Sequence, residues 1–198
     1  MVITHHGGQC FKVTLGDLTL VFDPIAKGSS LPAVRFGADI ALVSHNDTDS
    51  NGIEEVTYGD KTPFAITGPG EYERAGVTVR GFLSAGPGGS MNTIYAVQLE
   101  DMMLVHLGAL VGELPAEARE ALGEVDVLFV GVGGEAHELA VSLTPKIIVP
   151  MGWSGGDGEK SLTAFLKEAG TSGEKVEKLT LKKRDLVGRE GGILVITP

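Results

Sequence analysis

The sequence predicts an α/β (α+β) fold in which two mixed sheets pack face to face with helices outside. Three observations predict it. The first half is a series of short apolar runs broken by "GG" and "GD". The second half alternates strand-like with helix-like runs, which places helices on the outer faces of sheets. Strand-like runs extend over the whole length, so no domain boundary is visible and residues 1–198 read as one domain.

Each element follows from its local pattern. "VITHH", "CFKVTL" and "LTLVFD" are strands separated by hairpin punctuation. "ADIALVSH" is a fourth strand, and a short helix is expected near 51–56. "PFAIT", "GVTVRGF", "NTIYAVQL" and "MMLVHLG" continue the strand series, with "EDMM" joining the last two tightly. "GPGEYE" (68–73) reads as a turn, and "SAGPGGSM" (84–91) as a mobile glycine-rich loop. Further on, "LPAEAREALGEV" has helical spacing, with Pro115 near its first turn and Gly123 near its end. "VDVLFVGVGG" and "KIIVPMGW" are buried strands flanking a short helix, "EAHELAVSL". "GEKSLTAFLKEAG" is amphipathic, with apolar residues at 162, 165, 166 and 169 and a closing glycine. "KVEKLTL" and "GGILVIT" close the chain as strands.

Composition narrows the function classes. A formal net charge of -10, with no basic stripe, argues against nucleic acid as a partner. The one basic cluster, "KLTLKKRD" (178–185), reads as a solvated strand face. Cys10 is the single cysteine and lies in an apolar strand, so a buried structural thiol is expected. With no leader pattern and no long apolar run, the expectation is a cytoplasmic protein that does not enter a membrane.

The chemistry concentrates in "VSHNDTDSNG" (43–52), at the end of an apolar strand, where α/β folds place their sites. His45, Asp47, Asp49 and Ser50 fall within six residues. Alternate residues of an extended segment point the same way, so this spacing suits converging metal ligands. The same aspartates and Asn46 and Asn51 also suit a turn stitched by side-chain-to-backbone bonds.

The chain resembles the metallo-β-lactamase superfamily, and within it the small Zn-dependent hydrolases similar to ascorbate-phosphate lactonases. The resemblance is carried in order by "GGQCFKV", "FDP", "VSHNDTDSNG", "GPGEYE", "NTIY", "VHLGAL", "VDVLFVGVGG" and "IIVPMGW". It implies a four-layer αββα sandwich and a two-zinc centre that activates a bridging hydroxide. The family's metal loop runs His-x-His-x-Asp-His, with further ligands from a later His and Asp and from a His after "PM". Matched residue by residue, His45, Asp49 and His106 retain the family's types. Asp47 stands where a second His is expected, Ser50 replaces the adjacent His, Ala109 the bridging Asp and Gly152 the last His. Gly8 stands where a His often opens the family's sequence, and Trp153 lies beside the emptied position as filler.

The resemblance therefore implies a degenerate site. The metal candidates are His45, Asp47, Asp49 and His106. Three of them, His45, Asp47 and His106, would suffice for one weakly or partially held zinc, and no zinc is the other outcome. Asp49 would instead hold a histidine from behind as acceptor. His5 and His6, at a strand end, read as surface residues, and His137 as a solvent-exposed helix residue. The expected function is a pseudoenzyme with a binding or scaffold role. A residual one-metal hydrolase and a small-ligand binding module are the alternatives. Expected partners are a protein or a small molecule, with an oligomer compatible with the sequence.

Overall fold

The computed structural model describes residues 1–198 except Gly155. Its strands in chain order are β1 (Val2–His5), β2 (Phe11–Leu15), β3 (Leu18–Phe22), β4 (Ile40–Leu42), β5 (Phe64–Ile66), β6 (Gly70–Arg74), β7 (Val77–Ala85), β8 (Met91–Leu99) and β9 (Met102–His106). Helix α1 (Ala116–Ala121), β10 (Val127–Gly131), α2 (Ala136–Ser142), β11 (Ile147–Met151) and α3 (Gly158–Glu168) follow. The chain ends in β12 (Glu174–Val176), β13 (Leu179–Thr180) and β14 (Gly192–Ile196).

These strands form two large mixed sheets. One has six strands in the order β13-β1-β2-β3-β4-β5, the other eight in the order β12-β14-β11-β10-β9-β8-β7-β6. In the larger sheet β6 to β9 run antiparallel to their neighbours, and β9, β10, β11, β14 and β12 are parallel. The switch falls where the helices begin, because parallel neighbours need a crossover and antiparallel ones only a turn. The β8–β9 turn is such a tight turn, with Glu100 in the left-handed region at φ 52.

Period-two alternation explains the core. On β3 and β4, Leu20, Phe22, Ile40 and Leu42 enter the cluster between the sheets. Their neighbours Val21 and Ala41 point the other way, into a second cluster with Cys10, Ile25, Val34 and Val56. Residues 24–37 and the 3-10 turn Ile53–Val56 cover that outer face of the six-stranded sheet. The α-helices all follow strands of the larger sheet, and their buried residues Ala118, Ala140, Leu162 and Phe165 join its core. The αββα layering is therefore uneven, with a loop and one short turn as the outer layer on one side.

Three sequence expectations are corrected here. "GPGEYE" contains an edge strand, β6, paired with β7 through Gly70↔Gly81 to Arg74↔Val77. Its exposed side chains hide it, because only one face of an edge strand meets protein. "KVEKLTL" is not one strand but two, β12 and β13, which belong to different sheets. "SAGPGGSM" is mostly taken into β7, the 3-10 turn Pro87–Gly89 and β8. Among the described residues no helix is long and apolar enough to cross a membrane.

Candidate functional site

The ends of β3, β4, β8 and β9 meet at one edge of the sandwich. Asp23 directly follows β3 at φ 44, a left-handed conformation that aspartate tolerates better than most residues. This turn aims its fully buried carboxylate at the end of β4. Oδ1 accepts from Ser44 N at 2.7 Å and Oδ2 from Ser44 Oγ at 2.6 Å. The same Oδ2 lies 3.9 Å from His106 Nδ1.

His106 is fully buried and stacks on Phe22, with ring centroids 4.8 Å apart and planes 4° apart. Its Nδ1 accepts from Gly108 N at 3.2 Å, and its Nε2 lies 3.0 Å from Gln9 O. The first bond assigns the ring proton to Nε2, which donates to Gln9. Both nitrogens are thus used within the protein. Burial pulls the His106 pKa down to about 4, against the raising effect of Gln9. Burial likewise pushes Asp23 up to about 7, even though both Ser44 bonds favour its ionised form.

Asn92, at the start of β8, closes the corner. Its amide donates to Ser84 Oγ at 2.7 Å and Leu107 O at 3.0 Å, and its Oδ1 accepts from Ala109 N at 2.8 Å. Gly108 sits against it at φ +60. A Cβ there would come within 2.6 Å of Ser44 Cβ and Oγ and closer still to Asn92 Oδ1. Glycine is therefore required both by the backbone angle and by the space.

The 45–52 loop is built differently. His45 forms an isolated bridge to Asn92, and its Nδ1 lies 3.1 Å from Met91 O. Asp47 is exposed, and its Oδ1 accepts from Asp49 N at 3.0 Å. The Asp49 carboxylate accepts a short bond from Ser29 Oγ. Asn51 Nδ2 donates to Asn46 Oδ1 at 2.8 Å. Gly52 N donates to Pro24 O at 2.7 Å, an approach so close that a Cβ would lie 2.6 Å from the Ile25 backbone. The loop is thus pinned to residues 24–29, and its polar side chains stitch that turn.

His45 and His106 share one edge, linked through Asn92 and through the Ser44–Asp23 pair. The four residues singled out in the sequence do not converge: among the described residues no group of three or more His, Cys, Asp or Glu could hold a metal ion. The donor chemistry does not fit a zinc centre either. His106 has no free lone pair, and Ala109, Ser50 and Gly152 bring no imidazole or carboxylate. Nor do Ser44, Asp23 and His106 form a nucleophilic trio. Ser44 is buried, and its hydroxyl donates to the carboxylate, with no histidine accepting its proton.

Two histidine expectations are corrected. His5 is buried, stacked on Phe11 at 4.5 Å, with Ile196 O 2.9 Å from Nδ1 and Gly8 O 3.1 Å from Nε2. Burial lowers its pKa, and a neutral ring can donate to only one of those carbonyls at a time. His137 is half-buried, edge-on to Phe165, with Nδ1 3.8 Å from Glu168. Sequence reasoning missed Asp23, Ser44 and Asn92 as the polar framework. The available signal was a polar residue at the end or start of an apolar strand in "LTLVFD" and "NTIYAVQL".

A sequence profile described as "Beta-lactamase superfamily domain" matches residues 2–152. The chain belongs to the beta-lactamase superfamily. A Thermotoga maritima protein, provisionally described as a Zn-dependent hydrolase of the metallo-beta-lactamase superfamily, is similar at 29% identity and a TM-score of 0.80. That match covers 98% of this chain and 97% of the other. The fold is shared with Igni18, a metallo hydrolase from Ignicoccus hospitalis, at 14% identity and a TM-score of 0.60, covering 100% and 95% of the two chains. It is also shared with an isothiocyanate hydrolase from Delia radicum gut bacteria, at 11% identity and a TM-score of 0.65, covering 92% and 99%. No curated protein matches the sequence significantly. This superfamily member is hydrolase-like in fold.

Proposed function

We propose that this superfamily member is a pseudoenzyme of the cytoplasm, which has kept the scaffold and given up two-metal hydrolysis for a binding or scaffold role. The single observation that carries the reading is the ring of His106, whose two nitrogens are committed to Gln9 and Gly108. A metal ligand must present an unshared pair to the ion, and here that pair is taken by a backbone N–H. The losses elsewhere agree with it. Ser50 is buried, Gly152 has φ +72, and Ala109 is tied by its own N–H to Asn92. With no three of the candidate residues brought together, any zinc uptake would be weak and partial.

The experiment is metal analysis of untagged protein, before and after zinc soaking, with turnover assays on lactone, β-lactam and phosphodiester panels. The expected result is substoichiometric zinc and turnover near background. Two tightly bound zincs, or robust hydrolysis abolished by chelator, would overturn the reading.

A further inference from the structure

A concavity of about 1140 Å³ lies beside the histidine corner, at the C-terminal ends of β9 and β10. Leu110, Val130 and Leu139 give it an apolar floor, and α1 and α2 contribute its two walls. Val111 stands at its mouth, 52% exposed. The rim carries Glu113, Glu135 and Glu138 against a single cation, Arg119, whose Nη1 turns to Ser142 Oγ at 3.4 Å. Among the described residues no basic group lies within ion-pairing distance of those three glutamates. Side chains built at Gly112, Gly133 and Gly134 would meet nothing within 4 Å, so the rim is bare backbone and the groove stays open.

We propose that the groove between α1 and α2 docks a short basic amphipathic helix of a partner protein. The physical argument has three parts. An added strand is excluded, because β9 and β10 are each paired on both sides and offer no free edge. Recognition must then come from side chains seated between the two helical walls, which is how an amphipathic helix enters a groove. The apolar floor takes its leucine-like face, and the unpaired glutamates take flanking lysines or arginines. The same acidic rim repels anionic lipid and nucleic acid.

The inference rests on the non-catalytic reading for its purpose, yet the two fail separately. Metal content and turnover test that reading, whereas docking is measured with neither metal nor substrate present. The probe is a fluorescein-labelled 14-residue peptide of leucine and lysine at helical spacing, compared with its leucine–glutamate counterpart by fluorescence anisotropy at low ionic strength. Wild-type protein should bind the lysine peptide with a Kd of about 10–100 µM and the glutamate peptide at least about tenfold more weakly. Glu135→Gln with Glu138→Gln should weaken the lysine peptide by about fivefold or more, and Val111→Asn by about threefold. Glu71→Gln with Glu73→Gln, on the distant β6 edge, should change it by less than about twofold. The proposal fails if wild type does not bind, if both peptides bind alike, or if Val111→Asn has no effect. It fails equally if the β6 pair of substitutions costs as much as the groove pair, because general acidity then explains the binding.

Discussion

The loop around His45 and the corner around His106 lie along the same sheet edge, but they spend their polar groups in opposite ways. In the loop, Asp47 is exposed and Asp49 only half-buried, and both work on their own turn. In the corner, Asp23, Asn92 and His106 are fully buried, and each bonds to groups within the protein. One half of the edge faces water, and the other lies beneath the surface among internal hydrogen bonds. A metal centre needs the two halves to converge with lone pairs left over. The difference teaches that one sheet edge can carry two kinds of polar group, one stitching a surface turn and one bonded within the core.

The comparison predicts that the closed half carries the stability. Gly108→Ala should be the most damaging single change, since its Cβ would lie 2.6 Å from Ser44 at φ +60. Strain and overlap together should cost about 3 kcal/mol or more, read by urea denaturation. A cost near zero would mean that the corner is looser than its contacts imply.

Asn92→Ala comes next. It strands Leu107 O, Ser84 Oγ and Ala109 N, all bonded to the Asn92 side chain. A loss of about 2–3 kcal/mol is expected in the same denaturation experiment. Asn92→Asp, which keeps the shape but loses the donors, should recover little of it.

The two buried titratable groups should make opposite contributions to pH dependence. Asp23 is raised to about 7, so the folded state favours its protonated form. Its contribution is fully present at low pH and is lost as pH rises from about 4 to about 7. His106 is lowered to about 4, so its contribution is present above about 6.5 and lost as pH falls toward 4. Between about 4 and 6.5 the two nearly cancel. Removing one exposes the other, with a slope of at most about 1.4 kcal/mol per pH unit. Asp23→Asn should make stability rise with pH across that window, and His106→Gln should make it fall. Denaturation midpoints at four pH values check this, and parallel profiles for the two variants would sink the assignment.

The smallest effect belongs to the open half. Asp49→Asn should cost less than about 1 kcal/mol, because the carboxylate holds only the Ser29 hydroxyl on a surface loop. Zinc binding, measured by calorimetry, should change little. A steep loss of zinc affinity would show that this carboxylate is a ligand after all.

The sequence by itself determined the layers. Alternating runs such as "FKVTL" and continuous ones such as "VLFVG" dictate which strands bury one face and which bury both. Ordered motifs carried the family, and the residue types at 50, 109 and 152 showed where this sequence departs from the family's ligand pattern. Glycine-rich and charged edges misled, because β6 gains its partner from a strand whose register no local pattern specifies. Only the tertiary structure decided what His106 does, since Gln9 and Phe22 come from distant parts of the chain to occupy its nitrogen and its face. Likewise only folding brought Asp23 beneath Ser44 and turned His5 inward, between a carbonyl from its own loop and one from the last strand. The physical reason is the same in each case. Local sequence fixes periodicity and turn chemistry, while the partner of a buried polar group is chosen by whichever distant strand the sheet order places beside it.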